Sequence, residues 1–206
     1  FKTLMINMII LIAGDFAVGK DTFADELTTQ MHYKGMDSHK ILSKTTRNPR
    51  YKDENTHIFT DKLEYQIDFL DQQILAETQI ANNYYWTTKK QFNHDYNIYV
   101  VDSKGVTDME KTHHTCFKIL IERPNNKKTP RTQRKRHTEW DNNIKYNYII
   151  NNDSTIENLK KQTQLVIKAI KQYEQDLQKI RDKKYDVLIN HVLNNHLKNK
   201  NNKKGE

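Results

Sequence analysis

The residues best suited to chemistry lie in one short stretch, residues 14–22, which read Gly-Asp-Phe-Ala-Val-Gly-Lys-Asp-Thr. The spacing of Gly14, Gly19 and Lys20 matches G-x-x-x-x-G-K, a loop whose backbone N–H groups and lysine surround phosphate groups. An apolar run at 8–13 precedes the loop and residues with helical spacing follow it, as such a loop requires. The stretch predicts a phosphate-binding loop, although a strand, a glycine turn and a helix could also match by chance. The predicted phosphate contacts come from Gly14, Ala17, Val18, Gly19, Lys20, Asp21 and Thr22.

Asp21 departs from this pattern, because the position after the lysine normally carries Ser or Thr. A carboxylate repels phosphates unless a cation lies between them. The sequence leaves two interpretations open: Asp21 reaches Mg²⁺, directly or through water, or the hydroxyl of Thr22 takes this role. Both predict magnesium as the cofactor at the phosphates.

A second motif, residues 43–50, reads Ser-Lys-Thr-Thr-Arg-Asn-Pro-Arg. Pro49 excludes helix and stiffens the chain. Arg47 and Arg50 can hold one phosphate from two sides with their planar guanidinium groups. Without the first motif, two solvent-exposed arginines would be the simpler interpretation.

The elements around these motifs indicate an open α/β sheet. The predicted elements are buried strands at 8–13, 97–102, 116–121 and 146–151, edge strands at 74–80 and 83–88, and helices at 21–33, 61–70 and from 156 onward. Strands that alternate with helices are typical of a parallel sheet, and ligands bind at the carboxyl ends of its strands. The polar, basic residues 125–143 predict a lid, and residues 187–197 indicate one more helix before a disordered tail from 199.

Together the two motifs resemble guanylate kinase, a nucleoside monophosphate (NMP) kinase of the P-loop NTPase superfamily, from about residue 8 to about residue 173. Residues 43–50 match its signature S-x-T-T-R-x-P-R in full. Residues 83–88 look like its N-x-Y-G-[ST]-[ST] segment, 101–106 like I-D-x-x-G-[VA], and 146–153 like Y-D-x-V-I-x-N-D-D.

The resemblance implies an α/β, P-loop three-layer fold with a parallel central sheet, a small mixed β/α NMP-binding lobe, a basic lid and a C-terminal helical extension. The implied domain covers 1–173, with its core at 8–42, 97–124 and 144–173, its NMP-binding lobe at 43–96 and its lid at 125–143. Residues 174–206 would form the helical extension and a disordered basic tail.

The resemblance also implies which residues carry function. The phosphate loop would bind ATP, with Asn151 on the adenine side. The implied NMP contacts are Ser43, Arg47, Arg50, Asp53, His57, Glu77, Tyr85, Thr87 and Asp102. The implied catalytic residues are Lys20, Arg47 and at least one lid arginine, for which Arg131 and Arg134 are the main candidates beside Arg123 and Arg136.

Several departures from the family pattern fall on the guanine side. The family's guanine-reading Glu falls on Ala76, with Glu77 one place later, and a one-residue slip turns a strand side chain to the other face. A family Tyr falls on His57. Trp86 replaces a family Gly and could crowd the base or stack on it.

The implied function is transfer of the ATP γ-phosphoryl to GMP or dGMP, giving GDP or dGDP. One alternative is a deoxynucleoside monophosphate kinase of other or broader base specificity. A second is a non-catalytic guanylate-kinase-like binding module, against which the retained Lys20 argues. The preference between GMP, dGMP and another monophosphate stays open at this point.

Charge and cysteine content bound the remaining possibilities. The formal net charge is +8 and Cys116 is the only cysteine, inside an apolar run, which is typical of a reducing compartment and predicts a cytoplasmic protein. The run at 8–13 is too short to span a bilayer, so no membrane partner is predicted. Lysines near the C-terminus alternate with acids, as on a solvated helix face, which disfavours nucleic acid as a partner. Monomer and homodimer both remain possible.

Overall fold

A computed structural model describes residues 7–112, 115–122, 143–152 and 155–202 of the chain, with side chains up to residue 188. The strands are β1 Met8–Gly14, β2 Ser38–Ile41, β3 Lys44–Thr45, β4 Ile58–Phe59, β5 Ile74–Ile80, β6 Asn83–Thr88, β7 Tyr96–Val100, β8 Thr115–Glu122 and β9 Tyr148–Asn151. The α-helices are α1 Lys20–Tyr33, α2 Lys62–Leu70, α3 Ser103–Lys111 and α4 Ile156–Asn202.

The larger sheet has five strands in the order β2-β7-β1-β8-β9, and every pair in it is parallel. Its central strand, β1, is fully buried from Met8 to Ala13, since helices cover a parallel sheet on both faces. The chain passes from β7 on one side of β1 to β8 on the other. Such a change in the order of parallel strands leaves a crevice beyond the carboxyl end of β1. The predicted α/β fold with a parallel central sheet is confirmed.

A second, mixed sheet has four strands in the order β4-β3-β6-β5. Strand β6 pairs antiparallel with both β3 and β5, while β3 and β4 run parallel. The prediction placed β6 at an edge, but it lies inside the sheet because β3 covers its other side. Helix α2 begins as predicted, since the side chain of Asp61 caps it by accepting from the Glu64 N–H.

Helix α3 is absent from the elements that the sequence predicts. The carboxylate of Asp102 accepts from the Gly105 N–H at 2.7 Å and begins the helix. Val106 and Met109 then lie fully buried one turn apart and join the core beside Tyr99. Gly105 in the first turn disfavours a helix prediction from sequence. Glycine is suited to this position because a Cβ there would lie 3.1 Å from the side chain of Val101.

Helix α4 is one continuous helix of 47 residues. The sequence analysis expected two helices and disorder from residue 199, but the helix continues through 187–197 and ends at Asn202. No Gly or Pro interrupts residues 156–202, so nothing in the chain stops the helix. Residues 203–206 of the predicted tail lie outside the described ranges.

Residue contacts divide the chain into two compact units, Phe1–Ile167 and Lys168–Glu206, and α4 spans the division. Both sheets and both sequence motifs belong to the first unit. In the second, Ile180, Val187 and Leu188 are exposed on the helix. None of the helices in the described ranges has an apolar stretch long enough to cross a bilayer.

Candidate nucleotide-binding site

The loop between β1 and α1 has the backbone that the glycine spacing predicts. Gly14 and Gly19 have φ values of +152° and +96°, which favour glycine. A Cβ on Gly14 would also overlap the carbonyl oxygen of Ile121 in the neighbouring strand. Ala17 also has a positive φ, at 61°, while Val18 is buried and fixes the loop to the core. The loop is therefore held in one shape by the sheet beneath it.

Lys20 is the first residue of α1, and its side chain folds back over the loop. Its Nζ donates to the carbonyl oxygens of Gly14 at 2.9 Å and Asp15 at 2.7 Å. Its N-cap residue is Gly19, which has no side chain to cap the helix, and the N-terminus of a helix favours a bound anion. The ammonium group and these N–H groups together make a binding site for phosphates.

Asn152 is a loop contact that the sequence analysis missed. Its side-chain Nδ2 donates to the carbonyl oxygen of Val18 at 2.7 Å, and its own N–H donates to Glu122. Asn151, predicted on the adenine side of the ATP site, is exposed at the end of β9 and pairs there with Glu122 of β8. The signal was present, because Asn152 is the first residue beyond β9 at its carboxyl end.

Asp21 and Thr22 are both exposed in the first turn of α1. The Asp21 carboxylate lies 3.4 Å from the Lys40 ammonium group, which also binds Asp25 at 2.8 Å. No cluster of three or more His, Cys, Asp or Glu side chains suited to a metal ion occurs in the described part of the chain. One carboxylate still fits Mg²⁺, which prefers oxygen ligands and is commonly held by one or two carboxylates, substrate phosphates and water.

Arg47 is bound tightly by Glu54, whose side chain is only 1% exposed. The guanidinium group donates to both carboxylate oxygens, from Nη2 at 2.9 Å and from Nη1 at 3.2 Å. Its Cζ lies 5.1 Å from the centre of the Phe59 ring, a cation–π contact. Glu54 and the Asn48 carbonyl oxygen thus occupy three of its five N–H donors, and among the described residues its buried Nε has no hydrogen-bond partner.

Glu54 is the acidic partner of Arg47, and the neighbouring Asp53, a predicted NMP contact, is not. Asp53 is exposed and takes a left-handed backbone conformation, with φ at 66°. That turn carries Glu54 inward, where it also accepts from the Arg50 N–H at 2.6 Å and from Thr56 at 2.9 Å. These bonds, with that from Arg47 the strongest, lower the pKa of Glu54 from 4.5 to about 2.

This shift makes the stability of the protein depend on pH. A carboxyl whose pKa is lower in the folded state stabilises the fold above its unfolded pKa, and it loses that contribution as the pH falls. We therefore expect the stability difference between the wild type and Glu54→Gln to shrink as the pH falls from 4.5 towards about 2. Denaturant unfolding of both proteins between pH 7 and pH 2 measures it. A difference that stays constant over this range would contradict the prediction.

Three other predicted residues lie around Arg47. The pKa of Arg47 is raised mainly by its hydrogen bond to Glu54, and Tyr85 makes a smaller contribution in the same direction. The His57 ring packs edge-on against Tyr85, with ring centres 5.5 Å apart. Burial first, and then the charge of Arg47, lower the pKa of His57, which favours a neutral imidazole there. Arg50 is exposed beside this group.

A chain of hydroxyl groups leads from this cluster into the crevice. Ser43 Oγ lies 3.1 Å from the hydroxyl of Tyr99, which is buried, and burial raises its pKa. Thr87 lies beside Tyr99 and is also fully buried. Beyond them, Thr78 donates to Asp102 Oδ2 at 3.0 Å, which joins the second sheet to the end of β7. The structure thus brings Ser43, Thr87 and Asp102 to one side of the second sheet.

Glu77, a predicted NMP contact, does not lie with these residues. In the register of β5 and β6, Glu77 is opposite Trp86, whereas Ala76 is opposite Thr87 and Thr78 opposite Tyr85. Cross-strand partners point to the same face, and neighbours along a strand point to opposite faces. Glu77 therefore lies on the α2 side, where its carboxylate accepts from the Tyr65 hydroxyl at 2.9 Å.

Trp86 likewise faces α2 and cannot crowd the predicted base site. It is fully buried, and its indole N–H donates to Asp68 at 2.9 Å. The predicted lid arginines lie outside the described residues: Arg123, Arg131, Arg134 and Arg136.

No family model matches the chain, and no curated protein matches it. Among solved structures, the crystal structure of guanylate kinase from Anaplasma phagocytophilum matches with a TM-score of 0.55 and 19% identity. The match covers 79% of this chain and 83% of that one. The chain has a guanylate kinase-like fold. At this identity the comparison establishes the fold, and the function must be argued from the site.

Proposed function

We propose that the protein is an ATP-dependent nucleoside monophosphate kinase that moves the ATP γ-phosphoryl to the acceptor's 5′-phosphate. The observation that carries the proposal is that both phosphate-binding motifs lie at the same end of the parallel sheet. Lys20 follows β1, and the motif of Arg47 begins at Ser43, whose Oγ lies 3.1 Å from the hydroxyl of Tyr99 in β7, the parallel neighbour of β1. A donor phosphate at Lys20 and an acceptor phosphate at Arg47 would therefore meet in the crevice.

Phosphoryl transfer asks a protein for positioning and charge stabilisation rather than for a covalent nucleophile. In this proposal Lys20 and the loop N–H groups hold the β- and γ-phosphates of ATP. Arg47, Arg50 and Tyr85 hold the acceptor phosphate in line with them. Predicted lid arginines, Arg131 or Arg134, would add charge at the moving group. Each role uses a permanent charge or a fixed N–H group, which needs no reorganisation during the reaction.

Asp21 or Thr22 would hold magnesium at the head of α1, where the ion would neutralise charge on the ATP phosphates. Asp21 must then exchange its contact with Lys40 for the ion. Lys40 keeps its shorter contact with Asp25, so it retains a partner after that exchange.

GMP and dGMP are the acceptors that the family resemblance implies, and they belong to this proposal. The second candidate is a deoxynucleoside monophosphate kinase of broader base specificity, which the position of Glu77 favours. A non-catalytic binding module would have no use for both Lys20 and the Arg47–Glu54 pair.

The test is a turnover assay with ATP, Mg²⁺ and a panel of GMP, dGMP, AMP, dTMP, CMP and UMP. We expect ADP and the matching diphosphate in equal amounts for at least one acceptor. ADP formed without a diphosphate would indicate hydrolysis instead of transfer. ATP binding without turnover on any acceptor would contradict the proposal.

A further inference from the structure

The second unit of the chain contains a long helical segment that exposes its apolar side chains. Helix α4 runs unbroken to Asn202, yet none of residues 171–188 is buried. Four large apolar side chains in this segment are more than half exposed: Ile180 at 55%, Tyr185 at 57%, Val187 at 64% and Leu188 at 58%. In proteins, most helical stability comes from packing an apolar face against a neighbour. The exposed face of this segment therefore indicates a surface that another molecule covers.

The apolar residues of the segment follow the alternating 3-4 spacing of helices that pair with other helices. Written as a heptad abcdefg, position a holds Ile170, Leu177 and Lys184, and position d holds Tyr173, Ile180 and Val187. We call these six residues the apolar seam. Along it, burial falls from full at Ile170 to partial at Leu177, and Ile180 and Val187 are exposed. The part of the seam that a partner could cover therefore starts near Leu177.

The charged residues beside the seam are complementary to the same residues of a second copy. Position e holds Glu174 and Arg181, and position g holds Asp176 and Lys183. In an antiparallel pair of helices, e positions face e positions and g positions face g positions. With Leu177 of one copy opposite Ile180 of the other, Glu174 faces Arg181 and Asp176 faces Lys183. Twofold symmetry repeats both pairs with opposite charges, so this surface fits a second copy of itself.

Lys184 distinguishes between the two orientations that a helix pair can take. In a parallel pair, position a faces position a, so the two Lys184 ammonium groups would meet in the seam and repel each other. In the antiparallel register, Lys184 lies opposite Tyr173, whose ring attracts a cation. Lys184 is exposed in the single chain, and its methylene groups can lie along apolar surface while the ammonium group stays in water. The antiparallel orientation is therefore favoured.

We propose that residues 173–188 of α4 pair antiparallel with the same residues of a second copy, so that the protein is a homodimer in solution. The surface is short, and small interfaces are typical of weak complexes. A dimer that dissociates on dilution is the expected state. The inference is independent of the proposed kinase activity, because none of the residues assigned to that activity lies in α4.

The first experiment is sedimentation equilibrium of the full-length protein from roughly 1 to 200 µM, a range that covers micromolar affinities. We expect the mean mass to rise from 24.6 kDa towards twice that value as the concentration increases. The mass of one chain at every concentration would overturn the inference. Leu177→Ala/Ile180→Ala should raise the dimer Kd by about tenfold or more, since it shortens the central side chains of both copies. An unchanged Kd in this variant would also overturn it.

A charge swap tests the orientation without shortening the apolar seam. Asp176→Lys should raise the dimer Kd by about fivefold at low salt, because each copy then sets a lysine against Lys183 of the other. Asp176→Lys/Lys183→Asp should restore the Kd to within about twofold, since the opposite charges face each other again. In a parallel pair Asp176 would face Arg181, which the swap leaves positive. Failure of the double variant to recover would therefore overturn the antiparallel pairing.

The matched control is Asp182→Lys, which makes the same charge change at position f, away from the seam. Both carboxylates accept from a glutamine four residues earlier, Asp176 from Gln172 at 3.1 Å and Asp182 from Gln178 at 2.7 Å. Asp176 also contacts Lys179 at 3.2 Å, but such an exposed pair contributes little. We expect the Kd of the control to stay within about twofold of the wild type. A control effect as large as that of Asp176→Lys would overturn the pairing, since net charge alone would then explain both.

Discussion

Lys20→Ala is expected to lower kcat/KM for phosphoryl transfer by about 10³-fold or more, close to abolition, since losing even one donor at developing charge costs 10²- to 10³-fold. The Lys20 ammonium group lies over the phosphate loop, bonded to the carbonyl oxygens of Gly14 and Asp15. A full positive charge at this position stabilises the negative charge that develops on the transferring phosphoryl group. Steady-state kinetics over a range of ATP concentrations measures the effect on kcat and on KM separately.

The matched control for this prediction is Lys34→Ala. Lys34 lies at the other end of the same helix, exposed and away from the loop. The Lys34→Ala substitution removes the same charge as Lys20→Ala, so it controls for net charge and for general effects on α1. Thermal unfolding of both variants separates a catalytic effect from a loss of folding. Near-normal kcat/KM in a folded Lys20→Ala protein would remove Lys20 from the mechanism and with it the assignment of the loop.

The parts of the fold that could be predicted from the sequence are those whose signal is local. The apolar run at 8–13, the glycines at 14 and 19 and the helical spacing after Lys20 lie within one continuous stretch. Such a stretch determines strand, loop and helix before any distant contact forms. The Asp61 cap of α2 is predictable for the same reason, because its partner is the Glu64 N–H three residues away.

Three contacts that the sequence did not indicate lie one position from predicted site residues. Asn152, beside Asn151, reaches the loop; Glu54, beside Asp53, binds Arg47; and Ala76, beside Glu77, is on the face of Thr87. In a strand, a shift of one residue turns a side chain to the opposite face, so the register of β5 determines which face Glu77 occupies. At Asp53, a left-handed backbone turn points Glu54 inward, and that turn depends on what Glu54 can bind there. Both facts depend on tertiary contacts that no local pattern contains.

Arg47→Ala is the second variant with a large expected effect, about 10³-fold or more in kcat/KM by the same argument as for a lost charge-stabilising donor. The acceptor phosphate would lose the guanidinium group that is proposed to hold it. We expect KM for the acceptor to rise and KM for ATP to change little, because the proposed ATP site is the Lys20 loop. Equal changes in both constants would contradict the assignment of Arg47 to the acceptor.

Arg47→Ala alone leaves the buried Glu54 carboxylate without its main partner, so its folding could suffer as well as its activity. The double variant Arg47→Ala/Glu54→Gln separates the two effects. Removing the uncompensated charge should restore part of the stability that the single variant loses, because a neutral amide is easier to bury. Activity should stay lost, since nothing replaces the guanidinium group. If activity returned together with stability, Arg47 would act by holding the loop in shape and would have no direct role toward the acceptor phosphate.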